Sequence, residues 1–429
     1  MTEDYPLQAH TVETQPNSKL ENASFYEKLQ NKTYLTFFTI GIGLLWPWNC
    51  ILSASTYFIN VIFSVNTIWA RNFTSSMMTV STIASLIFNT WLAQRQFNYS
   101  QRVISGLFWE IIIFILFTLI SVVHSSLNMA VVFFFVMILV IGSALGTALS
   151  QNGILAIANL YGSEYSQAVV VGQAIAGVAP SVVLFMAAFF GDDNHDIGLF
   201  GIICYLLATA MVCTVCIILF KKNSIADKLL SNETSVSSER TNVPFDTLYY
   251  KLKWLVLAIL FTFIITMAFP VFASTTMSMG INLSDTKYSA LAFIIWNIGD
   301  VYGRIIADKP MFRSSSFTAL KSFIYSLSRI ILVPLFFIFT TLNSRHKHSS
   351  LIFADICYML LQFIFGVTNG HIISIAFMKV PEYLETDEEK EAAGGFTTIF
   401  VFIGLALGSL LSYLVTFTVN SILSNNSQS

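Results

Sequence analysis

Eleven stretches of about twenty mostly apolar residues follow one another along this chain. They lie near 34–59, 75–93, 104–123, 128–158, 168–190, 197–220, 254–274, 287–307, 321–341, 351–378 and 396–420. About twenty residues of helix cover the ~30 Å hydrocarbon core of a bilayer. Inside that core every backbone N–H and C=O needs a partner within the chain, and a helix supplies one locally. The pattern predicts an all-α, polytopic membrane protein with eleven transmembrane helices. The second stretch is the weakest, being short and rich in Ser and Thr; the fourth and tenth are long enough to tilt.

Composition agrees and excludes other classes. Of 429 residues 55% are apolar and 11% charged, against the ~25% charge of a typical soluble chain. A net charge of −2 without a basic stripe or zinc-finger spacing argues against a nucleic-acid polymer as partner. The five cysteines sit in or beside apolar runs, and Cys213 and Cys216 have CxxC spacing without a second pair or nearby histidine. Helix packing explains them better than a metal or a redox couple, so no cofactor is expected. The first 33 residues lack the features of a signal peptide, and the first apolar run reads as a retained anchor.

Basic residues choose an orientation. With the N-terminus in the cytosol, the inner segments hold sixteen Lys and Arg, including Lys28, Arg102, Lys221, Lys222, Lys309, Arg313, Lys321 and Lys379. The outer segments hold four: Arg71, Lys287, Arg345 and Lys347. That is a positive-inside bias, with the C-terminus exoplasmic or lumenal. The expected organisation is a cytosolic tail (1–33), an N-terminal bundle of six helices (34–220), a cytosolic linker (221–253), a C-terminal bundle of five (254–420) and a short tail (421–429). Asn72, Asn282 and Asn425 fall in sequons on the outer side.

Polar groups inside apolar spans are costly and point to a path or a site. The eighth span carries Asn297, Asp300, Gly303 and Arg304. Asp300 and Arg304 are four apart and share a helix face. They read either as a substrate and gating pair or as a buried ion pair that only braces helices. In the first span Pro47 predicts a kink or local unwinding. The neighbouring Trp48 and Asn49 offer a flat face and a donor–acceptor group suited to a polar heterocycle. Trp46 reads first as an interfacial aromatic. In the fourth span Gln151 is suited to the amide-like edge of a base, or else bonds a neighbouring carbonyl, and Gly153 follows it. In the fifth, Gly172, Ala176 and Pro180 form a packing seam that turns Gln173 elsewhere, toward the pathway; Gly177 completes the motif. Asn369 lies in the tenth span, Gly404 and Gly408 form a packing GxxxG in the eleventh, and Glu110, Arg329, Asp355 and His371 are further polar groups within spans.

Taken in order, Pro47-Trp48-Asn49, Gln151 with Gly153, Gly172-Gln173 with Ala176-Gly177, the run Phe293 to Arg304, and Thr368-Asn369-Gly370 resemble the motifs of the equilibrative nucleoside transporters. The resemblance covers roughly 34–420 and is nearest to fungal members, including those of vacuolar and other internal membranes. It implies a major-facilitator-like fold with eleven helices in a 6+5 arrangement, and alternating-access transport of purine and pyrimidine nucleosides, with nucleobases as a further class. By position, Trp48, Asn49 and Gln151 would frame the base, Asp300 and Arg304 would serve the ribose end and the cycle, and Asn297 would support them. Pro47, Gly153, Gln173, Gly177, Gly303 and Asn369 would be structural or gating. Trp46 and the compact central loop depart from the family pattern. An internal membrane is favoured over the plasma membrane. A facilitative carrier leads; proton-coupled export from an acidic organelle is the alternative. An intramembrane enzyme lacks paired aspartates and HExxH, and a receptor leaves the buried polar set unexplained.

Overall fold

The computed structural model describes residues 20, 23–64, 67–190, 199–223, 242–281, 283–345 and 352–427. Most of the expected tail and central linker, and Asn282, lie outside the described residues, and the side chain of Pro180 is likewise not described. The rest is helical. We number the long columns α1 (Lys32–Tyr57), α2 (Ile68–Ala93), α3 (Tyr99–Val123), α4 (Met129–Tyr161), α5 (Ser163–Phe190), α6 (Leu199–Lys222), α7 (Phe245–Thr266), α8 (Asp285–Ile306), α9 (Ala319–Ser328, a 3-10 turn Arg329–Ile331, then Leu332–Arg345), α10 (Ile352–Lys379) and α11 (Asp387–Ser427). Among the described residues ten helices are long and apolar enough to cross a membrane; α5, the fifth expected span, is the column outside that set. The chain is an all-α, multi-pass membrane protein.

Several boundaries move for local reasons. α2 starts at Ile68, ahead of the expected 75, because the Thr67 hydroxyl caps Ala70 N–H. α7 starts at Phe245, inside the segment read as linker. It stops at Thr266, and Pro270 then falls in the first turn of the short helix Phe269–Thr275. α1 runs unbroken through Pro47 instead of unwinding there, and a widened π turn comes later at Phe58–Ile62. Neighbours clamp the segment. A Cβ on Gly41 would overlap the Val169 carbonyl, one on Gly43 would lie 2.6 Å from Cys216 Sγ, and one on Gly172 would overlap the Phe38 carbonyl. α1 and α5 therefore pack backbone to backbone, as small residues allow in a bilayer, and α6 seats the Cys216 side chain on Gly43. Cys216 is part of this packing, its thiol 3.4 Å from the Thr39 carbonyl.

Polar contacts between loops gather where the chain begins. Lys28 Nζ reaches Asp308 at 2.6 Å, Asn223 Nδ2 reaches the Lys32 carbonyl at 3.1 Å, Gln96 Nε2 the Val243 carbonyl at 2.9 Å, and Asn159 Nδ2 the Lys390 carbonyl at 3.2 Å. Arg313 pairs there with Asp308 and Glu164. The columns thus alternate up and down.

The apolar core divides the same way. One cluster mixes both parts of the chain, with Tyr34, Phe37, Leu107 and Val169 against Ile259, Ile373 and Phe377. A second, containing Cys50, Phe58, Phe117 and Leu206, draws on α1–α6 alone. A third, containing Phe272, Tyr288, Phe336 and Phe365, draws on α7–α11 alone. The two parts meet at the end where the chain begins and keep separate cores at the other. At that far end Asp355 pins the loop before α8. It accepts from the backbone of Met279 at 2.8 Å, Gly280 at 2.7 Å and Ile281 at 2.9 Å, and from the Tyr288 hydroxyl at 2.9 Å.

Candidate transport site

The site is made by a close crossing of α8 and α10. Gly299 and Gly303 on α8 face Gly366 and Gly370 on α10. A Cβ on Gly303 would overlap the Val367 carbonyl, one on Gly366 the Trp296 carbonyl, and one on Gly370 the Asp300 carbonyl. With no side chains between them the backbones touch, and short polar side chains beside the seam can reach across. Asn369 Nδ2 accordingly donates to Asp300 Oδ1 at 2.6 Å. On the other carboxylate oxygen, Arg304 Nε donates to Asp300 Oδ2 at 2.9 Å, one helical turn away. Both residues are buried, Asp300 at 5% and Arg304 at 7% exposure.

Arg304 also joins the two parts of the chain. Its Nη1 donates to the Val170 carbonyl on α5 at 2.5 Å, while its own carbonyl accepts from Gln167 Nε2 at 3.3 Å. Further along the same crossing, Asn297 Nδ2 donates to Ser181 Oγ at 2.6 Å. Gly177 makes room for it: a Cβ there would stand 3.1 Å from Asn297 Oδ1. On the α1 side Asn49 Nδ2 donates to the Ala176 carbonyl at 3.1 Å. So Asn49, Asn297 and Arg304 all meet α5, within the stretch Val170 to Ser181, and Asp300 is tied to it through Arg304.

Gln173 lies in the middle of that stretch. It is one turn from Val170 and one from Gly177, hence on the face they present to α8. Its amide nitrogen is buried without a partner among the described residues. Trp48 is half-buried against the far-end cluster of α1–α6. Gln151 is buried in α4. Gly153 belongs to packing, since a Cβ on it would sit 2.6 Å from the Tyr99 carbonyl. Pro47 is buried within α1. Gly404 and Gly408 seat α11 on α7, where added Cβ atoms would lie 2.8 Å from the Leu260 carbonyl and 2.7 Å from Met267 Cγ. Trp46 buries its indole nitrogen without a partner among the described residues.

Three residues carry more than their sequence context indicated. Arg329, on the 3-10 turn of α9, is 1% exposed and has no carboxylate in salt-bridge range among the described residues. Its Nη1 donates to Thr266 Oγ1 at 3.0 Å, and the Thr266 hydroxyl lies 2.6 Å from Asn369 Oδ1. Glu110 is buried between α3 and α4, accepting from Ser143 Oγ at 2.9 Å and Thr147 Oγ1 at 2.8 Å. Arg329 stood out in the sequence as a cation within a span, which neighbouring helices must satisfy, but the sequence does not say which helices those are. His371 is held by aromatic contact, with the Phe312 ring centroid at 4.2 Å.

No cluster of three or more His, Cys, Asp or Glu able to hold a metal occurs among the described residues. What the arrangement offers is reversible recognition: a carboxylate and amides that accept and donate, and a guanidinium that bonds across the junction between the two parts of the chain.

Comparison with known proteins bears on the fold and on the family. A bacterial homologue of the iron transporter ferroportin, solved in an outward-facing state, superposes with a TM-score of 0.57 at 12% identity, covering 94% of this chain and 100% of that one. That likeness concerns the fold alone. Equilibrative nucleoside transporter 1 of Homo sapiens is 22% identical over 443 residues, covering 89% of this chain and 96% of its own. Nucleoside transporter FUN26 of Saccharomyces cerevisiae is 48% identical over 472 residues, covering 98% of this chain and 90% of its own. The nucleoside transporter family model matches residues 135–242 and 229–417. By the reach of that match and the near-half identity to FUN26, the chain belongs to the equilibrative nucleoside transporter family.

Proposed function

We infer that this protein carries nucleosides across a membrane by alternating access, without chemical conversion of the cargo. The observation that carries the reading is the Asp300–Arg304 pair, buried where α8 and α10 meet α5. A carrier needs a site whose contacts differ between two states, and a pair bonded to both parts of the chain is placed to change as they rock. The cargo class comes from the family. Nucleosides present ribose hydroxyls that a carboxylate accepts and base edges that amides read. In this reading Asp300 and Arg304 take the ribose end, Trp48, Asn49 and Gln151 frame the base, and Asn297, Gln173 and Asn369 support them. Purine and pyrimidine nucleosides are cargo, with nucleobases as a further class.

The finer architecture follows the same logic. Eleven crossings in a six-plus-five, major-facilitator-like pair of bundles accord with the alternating columns and the two separate far-end cores. The bias of basic residues puts the end where the chain begins in the cytosol, and the likeness to FUN26 favours a vacuolar or other internal membrane. On that orientation the Lys28–Asp308–Arg313–Glu164 contacts close the cytosolic mouth.

Transport is facilitative. Proton-coupled export remains the second reading because Glu110 is a buried carboxylate held by two hydroxyls, with no basic group in salt-bridge range among the described residues. Uptake of labelled adenosine and uridine into proteoliposomes, with and without a proton gradient, separates the two. Saturable uptake that needs Asp300 and ignores the gradient is expected. Uptake that follows the gradient and is lost in Glu110→Gln would give the second reading. Folded protein without uptake would refute both.

A further inference from the structure

Arg329 is a buried cation whose hydrogen bonds go to uncharged groups: the Thr262 carbonyl at 2.9 Å, Thr266 Oγ1 at 3.0 Å, Thr368 Oγ1 at 3.2 Å and the Phe365 carbonyl at 3.2 Å. Its guanidinium also lies over the Phe365 ring, 4.6 Å from the centroid. A cation this deep costs free energy unless the fold or the function needs it.

The four bonds are not equivalent. Those to Thr368, Thr262 and Phe365 end in helix backbone or in a hydroxyl that turns back to its own helix, Thr368 Oγ1 lying 3.1 Å from the Phe365 carbonyl. The one to Thr266 leads on. A threonine hydroxyl has one hydrogen, and Thr266 has two places to send it, the Thr262 carbonyl at 2.7 Å or Asn369 Oδ1 at 2.6 Å. Arg329 takes one lone pair of the Thr262 carbonyl, whose other is used by the backbone bond of the helix, and one lone pair of Thr266. It therefore turns the Thr266 hydrogen toward Asn369 Oδ1. That orients the Asn369 amide with its nitrogen toward Asp300 Oδ1, at 2.6 Å. A flipped amide would set oxygen against the carboxylate.

We propose that Arg329 is a positioning residue for transport: through Thr266 and Asn369 it fixes the carboxylate face that Asp300 offers to the sugar end of a nucleoside. The proposal rests on the reading of Asp300 as a cargo residue. It assigns a role in recognition to a residue on α9, whose hydrogen bonds lead to the pair through α7 and α10.

Thr266→Val and Thr368→Val test it, because each removes one hydroxyl partner of Arg329 at nearly constant volume and only the first cuts the relay. Adenosine KM and Vmax are measured in proteoliposomes, with thermal unfolding alongside and Thr266→Ser and Asp300→Ala as companions. Thr266→Val should raise KM ~10-fold, the scale of one hydrogen bond to a charged group, with Vmax within about twofold. Thr266→Ser should return KM to about the wild-type value, and Thr368→Val should leave it within about twofold. Equal effects of the two valine variants, or a loss of Vmax and folded protein at unchanged KM, would overturn the proposal in favour of a structural brace. If Asp300→Ala abolishes uptake while Thr266→Val is silent, the relay alone fails. If Asp300→Ala itself transports normally, the reading of the site fails with it.

Discussion

Removing the charges at Asp300 and Arg304 singly and together separates a cargo-binding pair from a brace. In Asp300→Asn the volume is kept and the charge is lost. Arg304 then stays buried, with the Val170 carbonyl as its remaining full acceptor. Breaking a buried pair by removing one partner costs ~3–5 kcal/mol, because it leaves an uncompensated charge. Against a stability of ~5–15 kcal/mol that is a large fraction. Arg304→Gln should cost a comparable amount, since Asp300 keeps the Asn369 bond but loses its cation. The double variant removes both charges and leaves only hydrogen bonds to account for, at ~1 kcal/mol each. With ~6–10 kcal/mol for the two single variants together and ~2 for the double, a double-mutant cycle should return a coupling of ~4–8 kcal/mol, the double variant being more stable than either single one. Stability is read from thermal unfolding of purified protein and transport from adenosine uptake. The expected result is recovery of stability without recovery of transport, uptake staying below about a tenth of wild type in all three variants. Recovery of both would make the pair a structural brace and refute its role in binding cargo. No stability loss in either single variant would refute the electrostatic argument itself.

The amide nitrogen of Gln173 is buried without a partner among the described residues, so Gln173→Leu should leave the unfolding midpoint unchanged or raise stability by ~1–2 kcal/mol while uptake falls severalfold; a parallel loss of stability would show that the amide holds the fold. The ammonium of Lys28 is pulled below lysine's ordinary 10.5, first by burial and then by the Arg313 charge, against the opposing pull of Asp308 and Glu164. Between the lowered value and 10.5 the unfolded chain binds more protons than the folded one, so this lysine's contribution to stability improves as pH rises through that window. Wild type should thus gain on Lys28→Met as thermal unfolding is followed from neutral pH toward 10.5, and a difference that stays flat or moves the other way would refute the argument.

The spans and the pair on α8 were legible because they depend on local spacing. Apolar runs of bilayer length become helices wherever they fall, since hydrocarbon leaves the backbone no other partner. Asp300 and Arg304 share a face at any i, i+4 spacing, so their bond at 2.9 Å was readable before any tertiary contact was known. Gly172 and Ala176 could likewise be read as a seam, and α5 does lie against α1 there. Pro47 shows the limit of local reading. Its missing N–H predicts a kink or local unwinding, yet α5 and α6 clamp α1 through Gly41, Gly43 and Gly172, and the segment stays helical through Pro47.

What the sequence determined by itself was the all-α membrane class, the order of the apolar columns, the face that Asp300 and Arg304 share, and, through its motifs, the family. What tertiary structure decided was the company those residues keep. Asn369 stands 69 residues from Asp300 and donates to it because glycines on both helices let α8 and α10 touch. Arg329 is joined to the same carboxylate by hydrogen bonds that run through Thr266 on a third helix and then Asn369. Such links depend on distances between helix axes, which bilayer packing sets through the shape of whole helix surfaces. Hydropathy and period constrain each helix separately and leave those distances open.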